Sequence, residues 1–69
     1  MTDPKPGPEL LLQVKAGFIL KGTSLTRWAR ENRTHVSNVR NALIGSWNGP
    51  RGKAMRARLV KAAGVKVSP

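Results

Sequence analysis

Apolar residues recur along this chain at intervals of three and four, and nowhere in a sustained alternation. That spacing predicts helices with one buried face, because a turn of about 100° per residue brings i, i+3, i+4 and i+7 to the same side. The first helix is predicted from Pro8 to about Lys21. Leu10, Leu11, Val14 and Phe18 share one face, and Leu12 and Ile19 fall on the opposite side. Pro8 suits the first helical position, Glu9 suits the positive end of the helix dipole, and Gly22 is a natural left-handed stop. Gly17 lies inside the pattern at a cost of roughly 1 kcal/mol against alanine. It predicts either a close backbone approach or a ragged helix.

A second helix is expected from Leu25 to about Asn32, with Ser24 as its N-cap. It turns Leu25, Trp28 and Ala29 inward, and Thr26, Arg27, Arg30 and Glu31 outward. A third is expected from His35 to about Ile44, with Thr34 as cap and Gly45 as stop. There Val36, Val39, Ala42 and Leu43 fall within about 120° of arc, leaving Ser37, Arg40, Asn41 and Ile44 on the other side. "GSWNGPRG" (45–52) reads as a turn-rich connection. A fourth helix follows from about Lys53 to Ala63, apolar along Met55, Leu59, Ala62 and Ala63 and stopped by Gly64. Arg56, Arg58 and Lys61 spread around it as a solvated face. Trp28 belongs to the core stripe, and Trp47 is read as a lid over the fourth helix.

The fold class is therefore all-α, a small four-helix domain over residues 8–64. Residues 1–7, "MTDPKPG", form an arm that cannot pack, and 65–69 a short tail with a weak alternation at "VKV". Sixty-nine residues suffice for one small core. With no cysteine, neither a disulfide nor a thiolate metal site can staple it.

Charge changes the picture most. Thirteen Lys and Arg face three acids, Asp3, Glu9 and Glu31, for a net charge of +10. So one-sided an excess points to a polyanionic partner, nucleic acid first, with an acidic membrane or protein surface as the remaining readings. The most apolar run, "LLLQVKAGFIL" (10–20), is broken by Gln13 and Lys15 and falls well short of the roughly 20 residues a membrane span needs. The start of the chain also fits a secretory signal poorly, so the expected location is the cytoplasm, at the bacterial nucleoid. Enzyme chemistry has little to work with. Three acids and one histidine supply neither a metal cluster nor an acid/base pair, and the glycines at 45, 49 and 52 are not a phosphate loop. No cofactor, metal or small-molecule ligand is expected.

The second and third helices are separated by only a few residues near 33–34, a link that forces a steep crossing, and Ala29 is the small residue that lets the helices approach. This is a helix-turn-helix arrangement, whose second member enters the major groove of DNA while the first crosses the phosphates. The stretch "SLTRWARENRTHVSNVRNALIG" resembles the helix-turn-helix of lambda-repressor-like (Cro and repressor type) DNA-binding proteins. More closely, "VKAGFILKGTSLTRWARENR" followed by "VRNALIG" is similar to short regulators of Mu-like phages and prophages. The likeness spans about residues 10–64. Ala29, Val39 and Leu43 stand where the family pattern wants them. One departure is that the turn position usually held by glycine is Arg33, and the hydrophobic position after it is Thr34.

The resemblance implies a sequence-specific, double-stranded DNA-binding transcriptional regulator that reads the major groove with the third helix. Base readout then falls to His35, Ser37, Asn38, Arg40 and Asn41; arginine suits guanine O6 and N7, and asparagine suits adenine N6 and N7. Phosphate contacts fall to Arg27, Arg30, Arg33, Thr34, Asn48, Arg51 and Lys53. A single small module reads too few base pairs to find one genomic site, so two copies are expected to act together, as a homodimer or as cooperative neighbours on DNA. The competing readings are an architectural DNA-binding protein without sequence preference and a small basic RNA-binding protein.

Overall fold

A computed structural model describes residues 5–65. The first four residues of the arm, and the tail from Lys66 with most of its weak alternation, lie outside the described residues. The described chain holds four helices and no strand: α1 (Pro8–Leu20), α2 (Leu25–Glu31), α3 (Val36–Ile44) and α4 (Pro50–Ala63). α3 packs against each of the other three, and α1 also crosses α4. Val14, Phe18, Val39, Leu43 and Leu59 are the largest wholly buried side chains, and Leu10, Leu25, Trp28, Ala29, Val60 and Ala63 complete the core. The Trp28 ring stacks on Phe18 with centroids 6.5 Å apart. No described helix is long and apolar enough to cross a membrane.

The helix ends explain how so short a chain turns three times. At the end of α1, Gly22 is left-handed (φ +76°), its N–H donates to the Ile19 carbonyl, and the Thr23 N–H donates to that of Phe18. This paired closure satisfies two orphan carbonyls of the last turn. α2 ends with the same two bonds: Arg33 N–H to Arg30 O (3.2 Å) and Thr34 N–H to Ala29 O (2.9 Å). Here the left-handed residue is Arg33, at φ +57°, the one non-glycine residue with positive φ among those described. Its β-carbon makes this conformation unfavourable by about 1 kcal/mol. Only residues 32–35 separate α2 from α3.

Two glycines permit close approaches. A β-carbon on Gly17 would collide with the carbonyl oxygen of Ala63, so α1 stays helical through Gly17 and crosses α4 there. A β-carbon on Gly52 would collide with the Trp47 carbonyl, which seats half-buried Trp47 on the first turn of α4.

Several boundaries differ from the sequence expectation. α3 starts at Val36, and the cap position is His35, in extended conformation and with no side-chain cap bond. Thr34 is committed through its N–H to closing α2 and does not cap α3. α4 starts at Pro50, because proline is suited to the first helical position and Gly49 precedes it in extended backbone. The expectation that residues 1–7 cannot pack fails at the end of the arm: the Gly7 N–H donates to the Leu43 carbonyl at 2.9 Å, and the Pro6 ring lies so close to Gly45 that a β-carbon there would be 3.1 Å from it.

The largest difference is on α4, whose buried side is Gly52, Arg56, Leu59, Val60 and Ala63. Arg56 was expected on a solvated face but is only 4% exposed. Its Nε donates to the Ala42 carbonyl and its Nη2 to Asn48 Oδ1, both at 2.8 Å. The guanidinium thus ties α4 to the interior of α3 and to the connecting turn. Arg58 also has a partner: its Nη2 donates to Asn32 Oδ1, and its guanidinium carbon lies 5.3 Å from the Trp28 ring centroid.

Candidate nucleic-acid interface

α3 presents its candidate residues because its opposite side is fully committed. Val39, Ala42 and Leu43 have no exposed surface. Ser37, Arg40, Asn41 and Ile44 are exposed on the outward side. Among the described residues, the side chains of Arg40, Asn41 and Ser37 make no hydrogen bond to the protein. They remain available to a ligand. Asn38 is half-buried toward one edge of this surface, and His35 is exposed at the head of the helix, before its first full turn.

Arg40 sits between two shallow depressions. One is lined by Leu11, Val36, Ser37, Asn41 and Ile44 as well as Arg40. The other joins Arg40 and Val36 to Lys15 and Ile19 of α1 and to Thr26 of α2. Lys15 and Thr26 were not singled out from sequence. Their nearness to Arg40 depends on how α1 and α2 pack around α3, and no local spacing announces it.

The expected phosphate residues separate into groups. Thr26 and Arg30, four residues apart, share one side of α2, the side that borders Arg40. Arg33 follows in the turn, exposed. Arg30, Arg33 and Arg40 are all exposed. Arg27 stands on the neighbouring outward side, with its Nε 3.9 Å from Glu31 Oε2. An exposed pair of this kind is weak and yields readily to a better anion. Thr34 is half-buried, with its N–H occupied by Ala29. Asn48 has its carbonyl oxygen engaged by Arg56, leaving its amide nitrogen as donor. Arg51 and Lys53 are both exposed in the first turn of α4, but residues two apart project to nearly opposite sides of a helix. They cannot both face the same surface.

Placed together on one side, then, are Thr26, Ser37, Arg40, Asn41 and Ile44, bordered by Lys15, with Arg30 one turn beyond Thr26 on the same side of α2. The surface combines a flexible point charge, planar guanidinium forks, an amide and an exposed aliphatic. Such a set can hold phosphates at its margin and hydrogen-bond base edges at its centre. Comparisons with protein-family models, curated proteins and solved structures found no match to this chain.

Proposed function

We propose that this protein is a sequence-specific double-stranded DNA-binding regulator of transcription that reads the major groove with α3. The observation that carries the reading is the pairing of Arg40 and Asn41, exposed and with side chains that make no hydrogen bond among the described residues, with three wholly buried residues on the opposite side of the same helix. α3 is about 13 Å long at 1.5 Å per residue, a length that fits across a few base pairs. Its frame is stiff: Arg56 holds the Ala42 carbonyl, and Gly7 holds that of Leu43. Stiff support lets side-chain hydrogen bonds discriminate between bases instead of adapting to them.

In this reading Arg40 addresses guanine and Asn41 adenine, each contributing about 1–3 kcal/mol of discrimination. Ser37 supplements them, and the exposed aliphatic of Ile44 can meet a thymine methyl. Arg30 and Arg33 hold phosphates and set register, and a net charge of +10 adds attraction to the duplex as a whole. The resemblance to lambda-repressor-like helix-turn-helix proteins supports the same assignment, and extends it to control of phage or phage-derived genes.

The test is the double variant Arg40→Ala with Asn41→Ala, on a duplex selected by the wild-type protein. It should melt like wild type and lose its preference for that duplex over random DNA. Retained preference would remove α3 as the reader.

A further inference from the structure

Arg40 has aliphatic neighbours as well as polar ones. Val36, Arg40 and Ile44 stand at intervals of four on α3, so they form one row along the helix. Leu11 of α1 lies beside that row. Leu11, Val36 and Ile44 line a shallow depression together with Ser37, Arg40 and Asn41. Leu11 and Val36 are half-buried, with their inner sides packed against the core. Ile44 takes no part in the core and is 38% exposed. Among the described residues it is the one exposed large hydrophobic outside α1.

An aliphatic seat within a hydrogen-bonding surface suits a ligand that is itself mixed. A phosphate is not, since it offers charge and oxygens and gains nothing from Leu11 or Ile44. The major-groove edge of a base pair carries an apolar group where a pyrimidine bears a methyl at C5, and in unmodified DNA that base is thymine. Cytosine presents an amino group and a C5 hydrogen, which leave the seat empty. Distance narrows the match. Ile44 follows Arg40 by four residues, about 6 Å along the helix, which is less than two base-pair steps of roughly 3.4 Å. The methyl group then falls within about two base pairs of the guanine that Arg40 addresses.

We propose that Leu11, Val36 and Ile44 seat the C5-methyl group of a pyrimidine close to that guanine, so that binding responds to the methyl itself. The proposal rests on the DNA-binding reading and names what one part of the reading surface takes. Its functional consequence is sensitivity to DNA methylation. A cytosine at this position binds less well than thymine, and methylation of its C5 carbon returns the methyl's share of the affinity. Leu11 comes from outside the reading helix, so the seat is a product of how α1 packs on α3.

Deoxyuridine tests the seat, because it removes the methyl group of thymine and keeps the hydrogen-bonding edge. Each thymine of a duplex selected by the wild-type protein is replaced singly, and binding is measured. At one thymine, within about two base pairs of the guanine whose preference is lost in Arg40→Ala, affinity should fall about 4-fold, the value of one buried methyl. At the other positions the replacement should be neutral. Ile44→Ala should melt as wild type does and shrink that ratio to about 2-fold or less. With cytosine placed there, 5-methylcytosine should bind about 4-fold more tightly than cytosine. A duplex in which no deoxyuridine costs affinity, or a loss undiminished in Ile44→Ala, would overturn the seat and leave base recognition by Arg40 and Asn41 standing. So would equal binding of cytosine and 5-methylcytosine. A wild-type protein that selects no duplex would overturn the DNA-binding reading itself, and the seat with it.

Discussion

Arg56 donates its Nε proton to the carbonyl oxygen of Ala42, 2.8 Å away and in the interior of the domain. That carbonyl lies on the helix proposed to read DNA, and the same guanidinium reaches Asn48 in the turn that follows. One side chain thus fixes the back of α3 and the path of the chain leaving it.

Arg56→Ala should consequently destabilise the domain by about 3 kcal/mol, since it empties a packed site and leaves the Arg56-bound acceptors short of a donor. Arg56→Lys should rescue little, because a single ammonium cannot reproduce the two-armed geometry of the guanidinium. Thermal or urea melting decides it. A variant with wild-type stability would mean that Arg56 is a surface residue after all.

Arg33 makes a contrasting case. Gly22 and Gly64 occupy left-handed positions at the ends of α1 and α4, and Arg33 occupies the equivalent place after α2 with its side chain exposed. Arg33→Gly should relieve the strain and leave the domain as stable as wild type or more stable by up to about 1 kcal/mol. It should also make the salt dependence of DNA binding shallower by roughly one unit of slope, for one lost phosphate contact. Loss of stability together with an unchanged slope would count against this role.

These two arginines mark the limit of what the sequence discloses. The four helices were legible from spacing and the Ser24 cap from its position, while the turn position at Arg33 came only from the family resemblance, which expects glycine there. Ser24 does accept from the Arg27 N–H, at 3.1 Å. Arg56 was not legible, because its partners Ala42 and Asn48 belong to another helix and a loop. Nothing in the local pattern separates it from Arg58 or Lys61. Met55 and Ala62, read from sequence as inner residues of α4, do pack against the core, but Val60 and Gly52, which sit deeper, were missed. Of the candidate site, the outward face of α3 was readable from the wheel alone. The approach of Lys15 and Thr26 to Arg40 depends on packing between helices and was not.

Gly17→Ala separates packing from propensity. Alanine raises intrinsic helix stability by about 1 kcal/mol. In this fold its methyl group would meet the Ala63 carbonyl, and overpacking of that kind costs about 1–3 kcal/mol. The variant should melt below wild type. A higher melting temperature would mean that α1 and α4 do not cross so closely.

Arg30→Ala and Arg27→Ala form a matched pair on one helix. Arg30 lies one turn beyond Thr26, which borders Arg40, and Arg27 stands beside Glu31. Removing Arg30 should reduce the salt slope of DNA binding by roughly one unit. Removing Arg27 should change it less, and neither should move the melting temperature appreciably. Equal effects would show that the duplex lies across α2 differently.

Selection of binding sites from random duplexes by the purified protein tests the central claim most directly. The account predicts a defined consensus, bound about 10³-fold or more tightly than random DNA at physiological salt. Arg40→Ala, selected in parallel, should lose preference at one position and keep the others. A specificity ratio near one, with no consensus, would contradict sequence-specific recognition by α3 and leave a basic domain that holds DNA by its backbone alone.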